Sequence, residues 1–236
     1  MFGLFSNQKK TIGLDIKAKY IRFIEMQHDN YEDRIISYGE IVPEEELFRG
    51  NIIMDEKKLI EYLRKIISKT KTRNFVVSLP ESFNKESFYD IFRHLNIKVK
   101  KYLSPASALS NSCVPAESPA TFLVILAEDD MSGFATFGAI HNTFYVGSPE
   151  NHSIISNLNR TYIDWYDEHK EKLSHVLVAG SRAKDSDFIG YVSRETKIPI
   201  TRANIFTNLR HNDQKVPIIT RDDSYKYAVA VGLAIS

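Results

Sequence analysis

Three short stretches carry residue types able to do chemistry. Asp15 stands at the end of an alternating run, pointing outward there, and Lys17-Ala18-Lys19-Tyr20 follows at once. Glu128-Asp129-Asp130 places three carboxylates between two apolar segments. Gly180-Ser181-Arg182 closes the apolar run HVLVA, residues 175–179. A carboxylate at such a place can organise magnesium, small turn residues let backbone N–H groups approach an anion, and lysines attract phosphate. Other chemistry finds no support. The seven histidines, at 28, 94, 141, 152, 169, 175 and 211, show no metal spacing and are not paired with a cysteine. There is no nucleophile elbow, Walker loop or Cys-x-x-Cys pair, so neither a catalytic residue nor a metal ligand is assigned.

Composition narrows the class further. The chain has 236 residues, 43% of them hydrophobic and 26% charged, with a net charge of +1. That is ordinary globular material for one large or two moderate domains, without a field that favours nucleic acid. Lys98, Lys100 and Lys101 read as the solvent face of a strand. The single cysteine, Cys113, excludes an intramolecular disulfide, suits a reducing compartment and reads as a small buried apolar residue. No apolar run approaches the ~18 residues of a membrane span. The opening MFGLFSNQKK is too short for a signal peptide. Its Phe2, Leu4 and Phe5 read as a frayed edge or as an apolar foot that touches a membrane or partner.

The elements that must position these stretches follow from periodicity. Thr11–Ile16 alternates like a strand with one buried face, and Ile21–Glu25 returns as the second arm of a hairpin. Residues 34–42 form a third strand. A helix opening at Asp55 or Glu56 puts Leu59, Ile60, Leu63, Ile66 and Ile67 on one face. Then come a buried strand over 75–79, a helix capped by Asn84 and running to Leu95, a strand over 97–103, and a short helix opened by Ser104-Pro105. After the proline-bearing stretch 115–119 the count restarts. Strands are expected over 121–127, 133–140 and 143–147, the last two joined at His141-Asn142. A helix over 154–169, a strand over 175–179, a helix over 185–197, a strand over 199–203 and a buried helix over 225–235 complete it. Each half reads βββαβαβα, and the expected domains are 1–117 plus 221–236, and 118–220.

Two copies of that order are what a duplicated ribonuclease-H-like fold gives, as in the actin superfamily, an α/β class with mixed five-stranded sheets. The opening MFGLF with GLDIKAKYIRFIEM resembles the start of PilM, the actin-like protein of type IV pilus assembly. ISYGEIVPEEELFRGNIIMDEKKLIEYLRKII, NFVVSLPES, FYDIFRHLNIKVKKYLSPASALSN, NLNRTYIDWYDEH, HVLVAGSRAKDSDFIGYVSRETKIPI, TRANIFTNL and KYAVAVGLAIS resemble its later segments in order. One departure is large. The family carries an extra first-domain subdomain after the turn that is Leu79-Pro80-Glu81-Ser82 here, and this chain has only a few residues in its place.

The resemblance implies ATP held between two hairpins. Asp15, Lys17, Lys19 and Tyr20 then stand in the first, Asp129 and Asp130 in the second, and Gly180, Ser181 and Arg182 on the adenosine side. Where the family has glycine and serines this chain has bulky residues in the first turn, and carboxylates fill the second. Each carboxylate repels a triphosphate by roughly 1 kcal/mol at contact in water. A degenerate nucleotide cleft without hydrolysis and without a cofactor is therefore expected. The alternative is an ATPase or small-molecule kinase that uses Mg-ATP with Asp15 and the acidic turn. The resemblance further implies a cytoplasmic scaffold at the inner face of the membrane, binding a membrane-anchored PilN-like protein. Phe2, Leu4 and Phe5, and the surface of Asn51, Ile52 and Ile53, are the candidate contacts. Self-association is a further expectation, nucleic acid is not, and a type II secretion platform or a division protein resembling FtsA is the neighbouring role.

Overall fold

Lys9–Ile16 (β1) and Ile21–His28 (β2) pair antiparallel, with Asp15 opposite Arg22 and Ile16 opposite Ile21, which leaves the turn between them to residues 17–20. The computed structural model describes residues 9–80, 83, 85–138, 142–210 and 218–236. The chain divides into two compact units, residues 1–108 with 209–219 and 229–236, and residues 109–208 with 220–228.

In the first unit Asp33–Ile41 (β3) continues the antiparallel meander, while Asn74–Ser78 (β6) runs parallel to β1 and Lys98–Tyr102 (β7) parallel to β6. The sheet order is β3-β2-β1-β6-β7. Helices cross between the parallel strands, because parallel strands need a long connection. Glu56–Lys69 (α1) starts where Asp55 accepts the Lys58 N–H at 2.9 Å, and it buries Leu59, Leu63 and Ile66. Glu86–His94 (α2) buries Phe88, Ile91 and Phe92, but its expected cap, Asn84, lies outside the described residues. The lysines of β7 are exposed on a strand at the sheet edge, where they discourage pairing with another chain.

The periodicity left out a small hairpin, Phe48–Arg49 (β4) with Ile52–Ile53 (β5), turned at Gly50 with φ +59°. The Gly-Asn pair at its tip is a legible hairpin signal. Strand β1 also differs from expectation, being buried on both faces from Thr11 to Ile16. The reason is the last helix, Ala228–Ala234 (α7), which lies so close that a Cβ on Gly13 would overlap the Ala230 carbonyl oxygen. On α7 itself, a Cβ on Gly232 would overlap the Ala108 carbonyl of Pro105–Cys113 (α3).

Behind β2 and β3, Asp33 accepts from His28 Nδ1 at 2.8 Å and from Arg210 Nη2 at 2.7 Å. Burial raises its carboxyl, but the hydrogen bonds from Arg210 and His28 outweigh burial and hold it below the usual range. A carboxyl lowered in this way stabilises the fold above its unfolded pKa and loses that contribution as pH falls through the folded value. Melting temperature should therefore drop as pH falls below about 4. In Asp33→Asn that acid step should shrink.

The second unit repeats the plan. Phe122–Ala127 (β8), Ser132–Phe137 (β9) and Asn142–Gly147 (β10) form the meander, and His175–Ala179 (β11) and Thr201–Arg202 (β12) add parallel strands in the order β10-β9-β8-β11-β12. The two sheets thus share one order and one set of directions, the duplication that the pattern implied. Asn151–His169 (α4) and Ser186–Thr196 (α5) bury Ile154, Leu158, Trp165, Phe188 and Val192. Several bounds differ from the periodic reading. Strand β9 ends at Phe137, and the next residue, Gly138, lies so close to Trp165 that a Cβ there would strike the indole. Strand β12 has only two residues, since Pro199 brings no N–H to the ladder. The expected helix over 225–235 is broken into Arg221–Ser224 (α6), a 3₁₀ turn at Tyr225–Tyr227 and α7. There the Tyr225 carbonyl also accepts the Gly180 N–H at 2.9 Å. The expected turn at His141 lies outside the described residues.

Cys113 is buried, and burial pushes its thiol up to about 12. Thiol-directed alkylation of the native protein at pH 8 should be slow and become rapid on denaturation; fast native labelling would contradict the packing.

Candidate functional site

The β1–β2 turn closes through the Lys17 N–H donating to the Tyr20 carbonyl at 2.9 Å. Asp15, expected to point outward, is instead 1% exposed. Strand β1 sits mid-sheet between β2 and β6, so its end is covered by neighbours on both sides. Among the described residues Asp15 Oδ1 has no hydrogen-bond partner, and neither has the buried hydroxyl of Ser78, the residue directly beside it in β6. Burial pushes the Asp15 carboxyl above its usual range, against the pull of Lys17, Arg22 and the Tyr20 hydroxyl. The lysines expected to attract phosphate are both engaged. Lys17 Nζ lies 3.8 Å from Asp15, and Lys19 Nζ lies 3.8 Å from Glu46. Arg22, buried beside them, gives its Nε to Glu40 at 2.7 Å and lays its guanidinium 3.8 Å over the Tyr20 ring.

The β8–β9 turn in the second unit closes through the Glu128 N–H and the Met131 carbonyl at 3.0 Å. Its carboxylates reach the residues after β11. Glu128 Oε2 accepts the Ser181 N–H at 3.2 Å, and Asp129 Oδ2 accepts the Ser181 hydroxyl at 3.2 Å. Gly180 permits this approach: its φ is +98°, and a Cβ there would overlap the Ala127 carbonyl. Backbone N–H groups at the start of such a turn are natural anion donors. Here the chain's own carboxylates hold the Ser181 donors, so these residues do not fit a phosphate without rearrangement. Arg182, placed by the resemblance on the adenosine side, is held by three contacts. Its guanidinium gives hydrogen bonds to the Pro149 carbonyl at 2.6 Å and to Asn151 Oδ1 at 2.5 Å, and lies 3.9 Å over the Phe188 ring.

Asp129, Gly180 and Ser181 are therefore brought together, Asp130 follows half-buried in the same turn, and Arg182 turns towards the start of α4. Glu128, read only as one of three acidic residues, is the buried one. Its signal was its place directly after the wholly apolar run that ends at Ala127. Among the described residues no group of three His, Cys, Asp or Glu side chains is placed to hold a metal. On the first unit Asn51 and Ile52 are exposed at the β4–β5 hairpin, whereas Ile53 packs against the core and offers little surface. Phe2, Leu4 and Phe5 lie outside the described residues. No helix is long and apolar enough to cross a membrane among the described residues.

No family model and no curated protein matches the chain. Solved structures do. PilM from the "PilM-PilN type IV pilus biogenesis complex" is similar at 9% identity and TM-score 0.77, over 95% of this chain and 97% of that one. The ethanolamine utilization protein EutJ from Carboxydothermus hydrogenoformans is similar at 10% identity and TM-score 0.65, over 96% and 89%. MreB 5 of Spiroplasma citri, bound to AMPPNP, is similar at 10% identity and TM-score 0.52, over 96% and 95%. The fold of this chain is that of the actin-like proteins, and PilM has it in a form similar to this chain over nearly its whole length.

Proposed function

We propose that this chain is an actin-like scaffold of a type IV pilus or related secretion assembly, working at the cytoplasmic face of the membrane. It binds a membrane-anchored partner of the PilN kind, and its nucleotide site is degenerate. The likeness to PilM, at TM-score 0.77, carries the assembly role. The degenerate site is supported by Glu128 and Asp129, whose carboxylates occupy the Ser181 N–H and hydroxyl. The partner surface is assigned to Asn51 and Ile52 on the β4–β5 hairpin together with Phe2, Leu4 and Phe5. The two domains are proposed as 1–117 plus 221–236 and 118–220, a division by the repeated order of elements whose bounds differ from those of the two compact units.

Two measurements test this reading. Labelled cytoplasmic peptides of membrane proteins encoded beside this one should bind the whole chain, and Ile52→Asp should weaken the binding at least tenfold. If none of them binds, the scaffold reading fails. Millimolar Mg-ATP should leave the melting temperature unchanged. A ligand at 100 times its dissociation constant adds about 2.7 kcal/mol of stability, so binding would be plain.

The second reading, an actin-fold ATPase or small-molecule kinase, has one observation in its favour. Asp15 Oδ1 and the Ser78 hydroxyl are buried side by side without hydrogen-bond partners among the described residues. Magnesium-bound water would supply the donor that Asp15 Oδ1 lacks. A melting shift with Mg-ATP that disappears in Asp15→Asn would favour this reading over the degenerate site.

A further inference from the structure

The second unit holds a cavity of about 250 Å³ between α4 and the strands β9 and β10. Its walls are unlike a core void, which is apolar. Two aromatic residues, Trp165 and Tyr145, line it together with Asp164, Glu168 and His169. Asp164 and Glu168 are one helical turn apart on α4, with side chains 66% and 63% exposed, so they stand at the mouth. Trp165 is only 6% exposed and forms the floor. Its indole N–H is buried and has no hydrogen-bond partner among the described residues. Nearby hydroxyls are already committed: Tyr145 and Thr161 bond each other, and the hydroxyl that accepts in that pair gives its own proton to the Asn157 carbonyl, which lies 2.9 Å from Tyr145 and 2.8 Å from Thr161.

Two carboxylates, Asp164 and Glu168, stand here beside one imidazole, His169, whose Nε2 lies 3.7 Å from Glu168 and whose ring centroid lies 4.0 Å from that of Trp165. Two carboxylates over aromatic walls attract a cation, and a planar guanidinium suits both parts, since it pairs with carboxylates and stacks on rings. The chain shows that preference on itself, for Arg160 Nε lies 3.4 Å from Asp164. Both of those side chains are largely exposed, and such a pair contributes little, so it yields to a better-enclosed competitor. The floor requires an acceptor for the Trp165 N–H, which a peptide carbonyl supplies. We infer that this cavity is a subsite for an arginine residue of a protein partner, its guanidinium held by Asp164 and Glu168 and a peptide carbonyl accepting from Trp165. The site is independent of the pilus reading and of both polar turns.

Trp165 is the only tryptophan in the chain, so its emission reports on the cavity alone. The probe is N-acetyl-arginine amide, titrated into the full chain. A saturable change in emission at millimolar probe is expected, with no saturable change for N-acetyl-citrulline amide, which keeps the shape and lacks the charge. The double variant Asp164→Asn, Glu168→Gln should lose at least tenfold in affinity while melting at the wild-type temperature. Absence of a saturable signal overturns the proposal, as does an equal response to citrulline or an unchanged affinity in the double variant. A lysine amide that binds as tightly as the arginine probe overturns the guanidinium assignment. The citrulline comparison decides the matter even if the double variant fails to fold.

Discussion

Gly232→Val should destabilise the first unit by about 3 kcal/mol or more, at the upper end of overpacking costs, and Gly13→Val should do the same. In both cases the new Cβ meets backbone rather than a flexible side chain: the Ala108 carbonyl at Gly232 and the Ala230 carbonyl at Gly13. Backbone of a packed helix cannot step aside without giving up its own contacts, so the cost is not relieved by a rotamer change. For a chain of this size, 3 kcal/mol corresponds to a drop of roughly 10 °C in melting temperature. Gly190 supplies the control. It lies inside α5 with nothing within 4 Å of an added Cβ. Gly190→Ala should therefore stabilise the protein by about 0.5–1 kcal/mol, because alanine is the better helix former. Variants at Gly13 and Gly232 that melt like the wild type would refute the close packing of α7.

Asp15→Asn should make the protein more stable at neutral pH, the reverse of what removing a charged group from an ion pair usually does. Burial raises the Asp15 carboxyl more than Lys17, Arg22 and Tyr20 lower it, and Oδ1 has no hydrogen-bond partner. An unsatisfied buried polar group costs about 1–3 kcal/mol, and more when charged. The sign with pH follows. A carboxyl whose folded pKa exceeds its unfolded value binds its proton more readily when folded. The penalty is therefore full above the folded pKa and vanishes below the unfolded one. The advantage of Asp15→Asn in urea unfolding should accordingly be present at pH 7 and shrink as the solution is acidified. A variant less stable than the wild type at pH 7 would mean that the Lys17 and Arg22 charges outweigh burial.

Most of the architecture was legible because its signals are local and repeated. Apolar runs such as residues 75–78 and 122–127, and the five-residue face of α1, mark the elements without tertiary help. The doubled order of strands and helices then implied the two sheets. What the sequence hid depends on partners far along the chain. The second buried face of β1 is invisible until α7 is placed on Gly13. The breaks before α7 come where Gly180, far back along the chain, gives its N–H to the Tyr225 carbonyl. Asp15 and the acidic turn were legible as candidate residues, but not their state, since burial and the Ser181 hydrogen bonds arise only in the folded chain. Arg182 was legible as a candidate residue too, but not that its long side chain reaches the start of α4.

The packing of α7 on Gly13 also orders events during synthesis. Strand β1 leaves the ribosome more than two hundred residues before its cover, and residues 109–208, most of the second unit, emerge between the two. Contacts this distant in sequence are slow to form and leave apolar surface waiting. Most of the second unit can therefore mature before α7 is made, and the first must hold an unfinished sheet until then, the interval in which a chaperone or a binding partner would find it.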